Sequence, residues 1–194
     1  MQAERVIETF KTSGALLEGH FILSSGLHSA AYLQCAIALQ SPSVAGEFGG
    51  AIAAQFAGAL IETVASPAIG GLIIGYEVAR QLGARFIWTE REAGEMTLRR
   101  GFTLRQGEKV LVVEDVITTG GSTRDTIEAL RRHGAEIIAA ASIIDRSGGK
   151  ADVGAPRVSL ATLNVPAIDP ADCELCKLGQ PAIKPGSRKQ YGVR

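Results

Sequence analysis

With 194 residues, 46% of them hydrophobic, the chain is long enough to bury one substantial core and too short for two domains of equal size. Lys plus Arg equal Asp plus Glu at 20 each, which excludes the overall positive field of a nucleic-acid binder and the strong acidity of a disordered chain. Any anion must therefore be held by local groups.

The first segment, MQAERVIETFKTSGALL, lacks the basic start, apolar run and cleavage site of an export signal, and Val6, Ile7, Phe10, Leu16 and Leu17 take helical spacing before Gly19. HFILSSGLHSAAYLQC then reads as strand, Ser-Ser-Gly turn, strand. Pro42 to Ile61 is rich in Ala and Gly, with Val44, Phe48, Ile52, Phe56 and Leu60 at helical intervals, and predicts a helix packed closely on a sheet. No stretch is long and apolar enough to span a bilayer, so a soluble, cytoplasmic protein with no membrane partner is expected. Three cysteines, Cys35, Cys173 and Cys176, are an odd count without an export signal and predict reduced thiols.

Strand and helix alternate from there: strand Glu62 to Ser66, a P-A-I-G-G turn, helix Leu72 to Leu82, strand Arg85 to Thr89, and a polar loop Glu90 to Gly101. Strand Val110 to Val113, helix Ser122 to His133 and strand Glu136 to Ile144 follow. The predicted fold class is α/β, a mostly parallel sheet flanked by helices, with ligands at the carboxyl ends of the strands. From Val165, prolines 166, 170, 181 and 185 and the charges of Lys184, Arg188, Lys189 and Arg194 predict an extended tail wrapped on the domain.

The chemistry concentrates after the strand at Lys109 to Val113. Glu114 and Asp115 should stand where it emerges, free of the cost of burial. Val116, Ile117, Thr118, Thr119, Gly120, Gly121 and Ser122 then offer backbone N–H groups, hydroxyls and flexible glycines at the start of a helix, which is a nest for an anion. There is no Walker lysine and no G-x-G-x-x-G spacing, so neither a nucleoside triphosphate loop nor a dinucleotide fingerprint fits. V-L-V-V-E-D alone would be an ordinary strand end. The acids and nest together suit a sugar carrying a monophosphate.

The whole segment VLVVEDVITTGGS closely resembles the 5-phosphoribosyl-1-pyrophosphate (PRPP) signature of the type I phosphoribosyltransferases. The resemblance implies that Glu114 and Asp115 bind the ribose hydroxyls and that Val116 to Ser122 cradles the 5-phosphate. Mg²⁺ would arrive on PRPP, with no direct protein ligand. HFILSSGLHSAAYLQ is similar to the hood of the orotate phosphoribosyltransferases, and Asp145-Arg146 matches their D-R, whose arginine meets orotate. A guanidinium can pair bidentately with a carboxylate, which suits Arg146, and Thr118 would also contact the base. A solvated strand-end charge is the plainer alternative for Arg146 alone. One domain, 1–194, is implied, with a small hood of about 1–40 plus tail 165–194 and a core of about 41–164.

Ser66 to Gly71 resembles the family's pyrophosphate loop, which assigns Ala68, Ile69 and Gly70 to that group. Many orotate enzymes have lysines where Gly70 and Ser24 stand here. Thr89 to Phe102 resembles the mobile catalytic loop, usually K-E-A-K-x-H-G, but reads R-E-A-G-E-M-T: Arg91 replaces the first lysine, and Gly94 and Met96 replace the second lysine and the histidine. Arg99 and Arg100 are the nearest replacement charges for a leaving pyrophosphate. C-E-L-C-K-L-G resembles the tail of a bacterial or archaeal branch. One Cys-x-x-Cys pair is only half of a zinc site, and His20, His28 and His133 read as surface or packing residues, His28 in the hood being the one to test. A homodimer is implied, as are PRPP and orotate as small-molecule partners, with no nucleic acid. The rivals are a type I transferase for a purine or uracil, and a PRPP-sensing regulator, against which no helix-turn-helix segment precedes the transferase region.

Overall fold

The computed structural model describes residues 1–23 and 26–185; Ser24 and the tail charges Arg188, Lys189 and Arg194 lie outside the described residues. In chain order the elements are α1 (Ala3–Thr12), β1 (Leu16–Ile22), β2 (His28–Leu33), α2 (Cys35–Leu39), α3 (Pro42–Ala54), β3 (Thr63–Pro67) and α4 (Gly71–Leu82). They continue with β4 (Arg85–Glu92), β5 (Glu95–Leu98), β6 (Lys109–Ile117), α5 (Gly121–Arg132), β7 (Glu136–Asp145), β8 (Arg157–Thr162) and α6 (Glu174–Lys177). Among the described residues β3 to β8 form a six-stranded sheet in the order β5-β4-β3-β6-β7-β8, and β1 and β2 form a separate antiparallel pair. Every neighbouring pair in the large sheet is parallel except β4 with β5. The mostly parallel α/β class read from the sequence is the one observed.

The unbroken apolar run of β6 follows from helices on both faces. Successive side chains point to opposite sides, so Leu111 and Val113 join one core with Val64, Ala141 and Ile143, while Val110 and Val112 join another with Ala65, Ile127 and Leu130. Val6 and Phe10 of α1, Cys35 and Leu39 of α2, and Phe48 and Ile52 of α3 all belong to the first core. In α4, a Cβ on Gly75 would lie 2.0 Å from Ser66 Oγ, so only glycine lets this helix sit so close over β3.

Several boundaries differ from the sequence reading. The helix from Pro42 ends at Ala54 rather than Ile61, and the chain turns through Gly58 at φ +86° before β3. The expected loop Glu90 to Gly101 is largely a β4–β5 hairpin: Glu92 pairs with Glu95 around Ala93 and Gly94, both at positive φ as a tight two-residue hairpin turn requires. Strand β8 was not foreseen. The tail lies on the β1–β2 pair through bridges Phe21 to Ile183 and His28 to Ile168. No helix among the described residues is long and apolar enough to cross a membrane.

Candidate active site

From β3 the chain runs through α4 to β4 on one side, and from β6 through α5 to β7 on the other. The carboxyl ends of β3 and β6 therefore flank the switch point where a parallel sheet opens a crevice. Two loops meet there. Ala68 and Ile69, joined by a cis peptide bond, and Gly70 follow β3; Thr118 and Thr119 follow β6.

Glu114 and Asp115 lie within β6 itself, since this strand continues to Ile117 instead of ending at Val113. Both are partly buried, which corrects the expectation that they escape that cost. Burial raises the Glu114 carboxyl to about 7, against the opposing hydrogen bond donated by Thr123 Oγ1, with the charge of Asp115 adding to the rise. Burial also raises Asp115, which accepts hydrogen bonds from the Val116 backbone N–H at 2.9 Å and from the Cys35 thiol. Two partly buried carboxylates side by side are hydrogen-bond acceptors of the kind that vicinal hydroxyls can meet.

Gly70 faces this pair across the crevice. A Cβ there would come 2.8 Å from Asp115 Oδ1 and 3.1 Å from its Cγ, so no larger side chain can enter at this position without moving the carboxylate. Overpacking of this kind costs about 1–3 kcal/mol. Gly70→Ala is expected to raise KM for PRPP roughly tenfold with a smaller change in KM for the base, read from steady-state kinetics; equal change in both would place the damage elsewhere.

After Ile117 the chain runs through exposed Thr118 and Thr119 to Gly120, whose φ of +79° starts α5. A Cβ on Gly120 would also meet Val153 Cγ1 at 2.8 Å. Gly121 and Ser122 form the first turn of α5, where backbone N–H groups have no helical acceptor and can bind a phosphate. Arg146 follows β7, and its backbone N–H donates to Ile117 O at 2.8 Å, which ties it to the same loop. Its guanidinium is partly buried, burial lowers its pKa from the ordinary value, and Nε has no hydrogen-bond partner among the described residues. Thr118, Thr119 and Arg146 line one cleft of about 720 Å³ with Leu23, Tyr32 and Lys184 from the β1–β2 pair and the tail.

The three arginines of the hairpin stand apart from that cleft. Arg91 pairs with Asp125 at 2.6 Å, Arg100 with Glu90 at 2.7 Å, and Arg99 with Glu92 at 3.3 Å and Glu90 at 3.6 Å. Hydrogen bonds from Arg100 and then Trp88 hold the Glu90 carboxyl at about 2. Met96 of β5 is buried.

Sequence reasoning passed over three supporting residues. Cys35 and Thr123 donate to the paired acids; burial and the Asp115 charge push the Cys35 thiol well above its ordinary range, so it remains a neutral donor. Asp145, quoted only as half of the D-R pair, is buried and accepts from the Ser147 and Gly149 backbone N–H groups and from Arg157 at 2.6 Å. Burial opposes its charge, yet these bonds win and lower its pKa. It fixes the loop after Arg146. No local pattern reveals contacts made across strands and helices.

A model of the phosphoribosyl transferase domain matches residues 51–172. Orotate phosphoribosyltransferase of Caldicellulosiruptor bescii is 52% identical over 190 residues, covering 98% of this chain and 100% of that protein. Orotate phosphoribosyltransferase of Thermotoga maritima is 54% identical over 185 residues, 93% of this chain and 97% of its own. Among solved structures, orotate phosphoribosyltransferase from Aeropyrum pernix superposes with a TM-score of 0.70 at 30% identity, covering 90% of this chain and 98% of that one. With the acid pair, the anion nest and the cleft arginine in place, the chain belongs to the phosphoribosyltransferase family, among its orotate phosphoribosyltransferases.

Proposed function

We propose that this chain transfers the 5-phosphoribosyl group of PRPP to orotate, giving orotidine 5′-phosphate and pyrophosphate in the synthesis of UMP. The observation that carries the choice of base is Arg146, a half-buried guanidinium beside Thr118 in a cleft that adjoins the sugar-phosphate loop. The orotate carboxylate pairs with it. The bond from the anomeric carbon to N1 of orotate forms as the bond to pyrophosphate oxygen breaks. Glu114 and Asp115 accept hydrogen bonds from the ribose hydroxyls, and their charge favours the oxocarbenium-like transition state between the two bonds. The N–H groups of Gly120 to Ser122 hold the 5-phosphate. Orotate is already electron-rich, so no strong base is required.

The oxygen donors at this end of the sheet, Glu114 and Asp115, are of the hard type compatible with Mg²⁺. When bound with PRPP, Mg²⁺ would supply positive charge against the pyrophosphate. Ala68, Ile69 and Gly70 take that group from the β3 side, and Arg91, Arg99 and Arg100 approach it as the hairpin closes. Arg99 and Arg100 are 41% and 60% exposed, so their present surface pairs are weak and solvent-screened, weaker than hydrogen bonds to a charged pyrophosphate oxygen. Exchange of partners is favourable. Arg99→Ala or Arg100→Ala is expected to lower kcat roughly tenfold, and unchanged turnover would remove that residue from the pocket.

Ile73 and Tyr76 on α4 are exposed apolar side chains near the pyrophosphate loop and suit a homodimer contact. The chain acts in the cytoplasm, as an enzyme fed by soluble PRPP. The deciding assay mixes PRPP and Mg²⁺ with orotate, uracil, adenine or hypoxanthine and follows loss of base. Consumption of orotate alone supports the proposal; binding of PRPP without turnover of any base would make the chain a sensor.

A further inference from the structure

His20 in β1, His28 at the start of β2, Cys173 before α6 and Cys176 within it bring one ligand atom each to within 4.8 Å of one another. Read separately along the chain, they were a half-site and two packing histidines. Three distances across the cluster are His20 Nε2 to Cys173 Sγ at 3.4 Å, His20 Nε2 to Cys176 Sγ at 3.6 Å and His28 Nδ1 to Cys176 Sγ at 3.2 Å. Nitrogen and sulfur ligands on a tetrahedral zinc, with bonds near 2.05 and 2.3 Å, stand about 3.5 Å apart. The two nitrogens, at 2.8 Å, are closer than the ~3.3 Å that bound zinc would set, a small opening of two adjacent side chains.

The surroundings orient the donors. His20 Nδ1 meets Gln180 O at 2.8 Å; a carbonyl only accepts, so Nδ1 carries the proton and Nε2 turns its lone pair toward the thiols. A ligating histidine that donates its other N–H to a backbone carbonyl is the usual support for a metal. Cys173, His20 and His28 are 2%, 5% and 8% exposed, and Cys176 is partly exposed, so the cluster is closed on three sides and reachable on the fourth.

The tail needs such an anchor. Among its described residues from Val165 to Pro185 only Cys173 is buried, while Leu178 and Ile183 are 72% and 62% exposed. A segment with no apolar core of its own is the kind that a structural metal orders. Backbone bonds flank the cluster: Ile183 N–H to His20 O, and His28 and Ile168 to each other, all at 2.8 Å. Beyond it, Val165, Ala167, Lys184 and Pro185 of the tail and Leu27 of the β1–β2 pair line the 720 Å³ cleft.

We propose that His20, His28, Cys173 and Cys176 bind a structural Zn²⁺ that staples the tail to the β1–β2 pair and so holds one wall of the base-binding cleft. Two thiolates and two imidazoles in tetrahedral array select zinc over hard cations. The metal site stands on geometry alone; only its effect on the cleft rests on the activity proposed above.

The test uses untagged, reduced full-length protein. Elemental analysis should find about one zinc per chain, and replacement by Co²⁺ should give the visible bands and sulfur-to-cobalt charge transfer of a tetrahedral thiolate site. Cys176→Ser and His28→Ala should lose the metal, whereas Cys176→His, which keeps a ligand, should retain it and most of the thermal stability that Cys176→Ser loses. Metal loss with unchanged PRPP binding and a several-fold higher KM for orotate would tie the staple to the cleft. Zinc below about a tenth per chain with no tetrahedral cobalt spectrum, zinc content indifferent to both losses of ligand, or a Cys173–Cys176 disulfide in freshly isolated protein would overturn the proposal.

Discussion

Arg146→Ala is expected to lower kcat/KM for orotate by roughly 30- to 5,000-fold while leaving PRPP binding within a few-fold of the parent. Truncating one partner of a buried, hydrogen-bonded charge pair costs about 2–5 kcal/mol, most of it from the charge left without a partner. Here the charge left alone is the orotate carboxylate. Arg146→Lys should recover only part of the loss, because an ammonium restores charge but not the two-pronged geometry. The backbone of this residue, bonded to Ile117 O, and the Asp145 contacts that fix the following loop do not involve the guanidinium, so the fold should stand. Isothermal titration of PRPP separates the outcomes: an equal loss for PRPP would show a collapsed loop instead of a missing base contact.

Glu114→Gln should raise stability and lower activity together. The folded-state pKa of about 7 lies above the ordinary 4.5, so between these values the folded protein binds more protons than the unfolded chain. Stability therefore falls as pH rises through that window, is unaffected below it, and has lost its full share above about 7. A difference of 2.5 units corresponds to a destabilisation on the order of 3 kcal/mol at pH 8. Asp115, also raised, acts in the same direction. Glutamine keeps the acceptor for Thr123 without the buried charge. The variant should melt roughly 5–10 °C above the parent at pH 8 and level with it near pH 4.5. For PRPP the sign reverses, since a ribose hydroxyl gains about 1.5–3 kcal/mol from a charged acceptor. KM for PRPP should rise in the parent as pH drops below 7, and in Glu114→Gln should be high and flat. A parent whose KM is flat from pH 5.5 to 8 would sink the assignment.

The two effects share one cause. Burial that raises both carboxyls in the free protein would, on the proposed function, make them strong acceptors for the ribose hydroxyls. Gly70 belongs to the same economy of space: its missing side chain is the room in which Asp115 sits. Arg91, Arg99 and Arg100 pair with Asp125, Glu92 and Glu90, and the proposed function has them exchange these partners for pyrophosphate.

The sequence by itself determined the alternation of strand and helix, the central strand at β6 and the loop from Glu114 to Ser122, because each is written in residues adjacent in the chain. Period-two burial, a glycine at positive φ and acids beside hydroxyls are local patterns. It also led to Arg146, through the resemblance of Asp145-Arg146 to the D-R of the orotate phosphoribosyltransferases. Only the tertiary structure decided the rest. The desolvation of Glu114 depends on what packs over β6, and the Cys35 donor comes from a helix some 80 residues earlier. The Ala93-Gly94 turn lacks the Asn-Gly signal of a tight hairpin, so the β4–β5 pair read as a loop. The same limit hid the metal cluster, whose histidines stand more than 140 residues from its cysteines. Nothing in spacing joins them; the tail returning over the β1–β2 pair does.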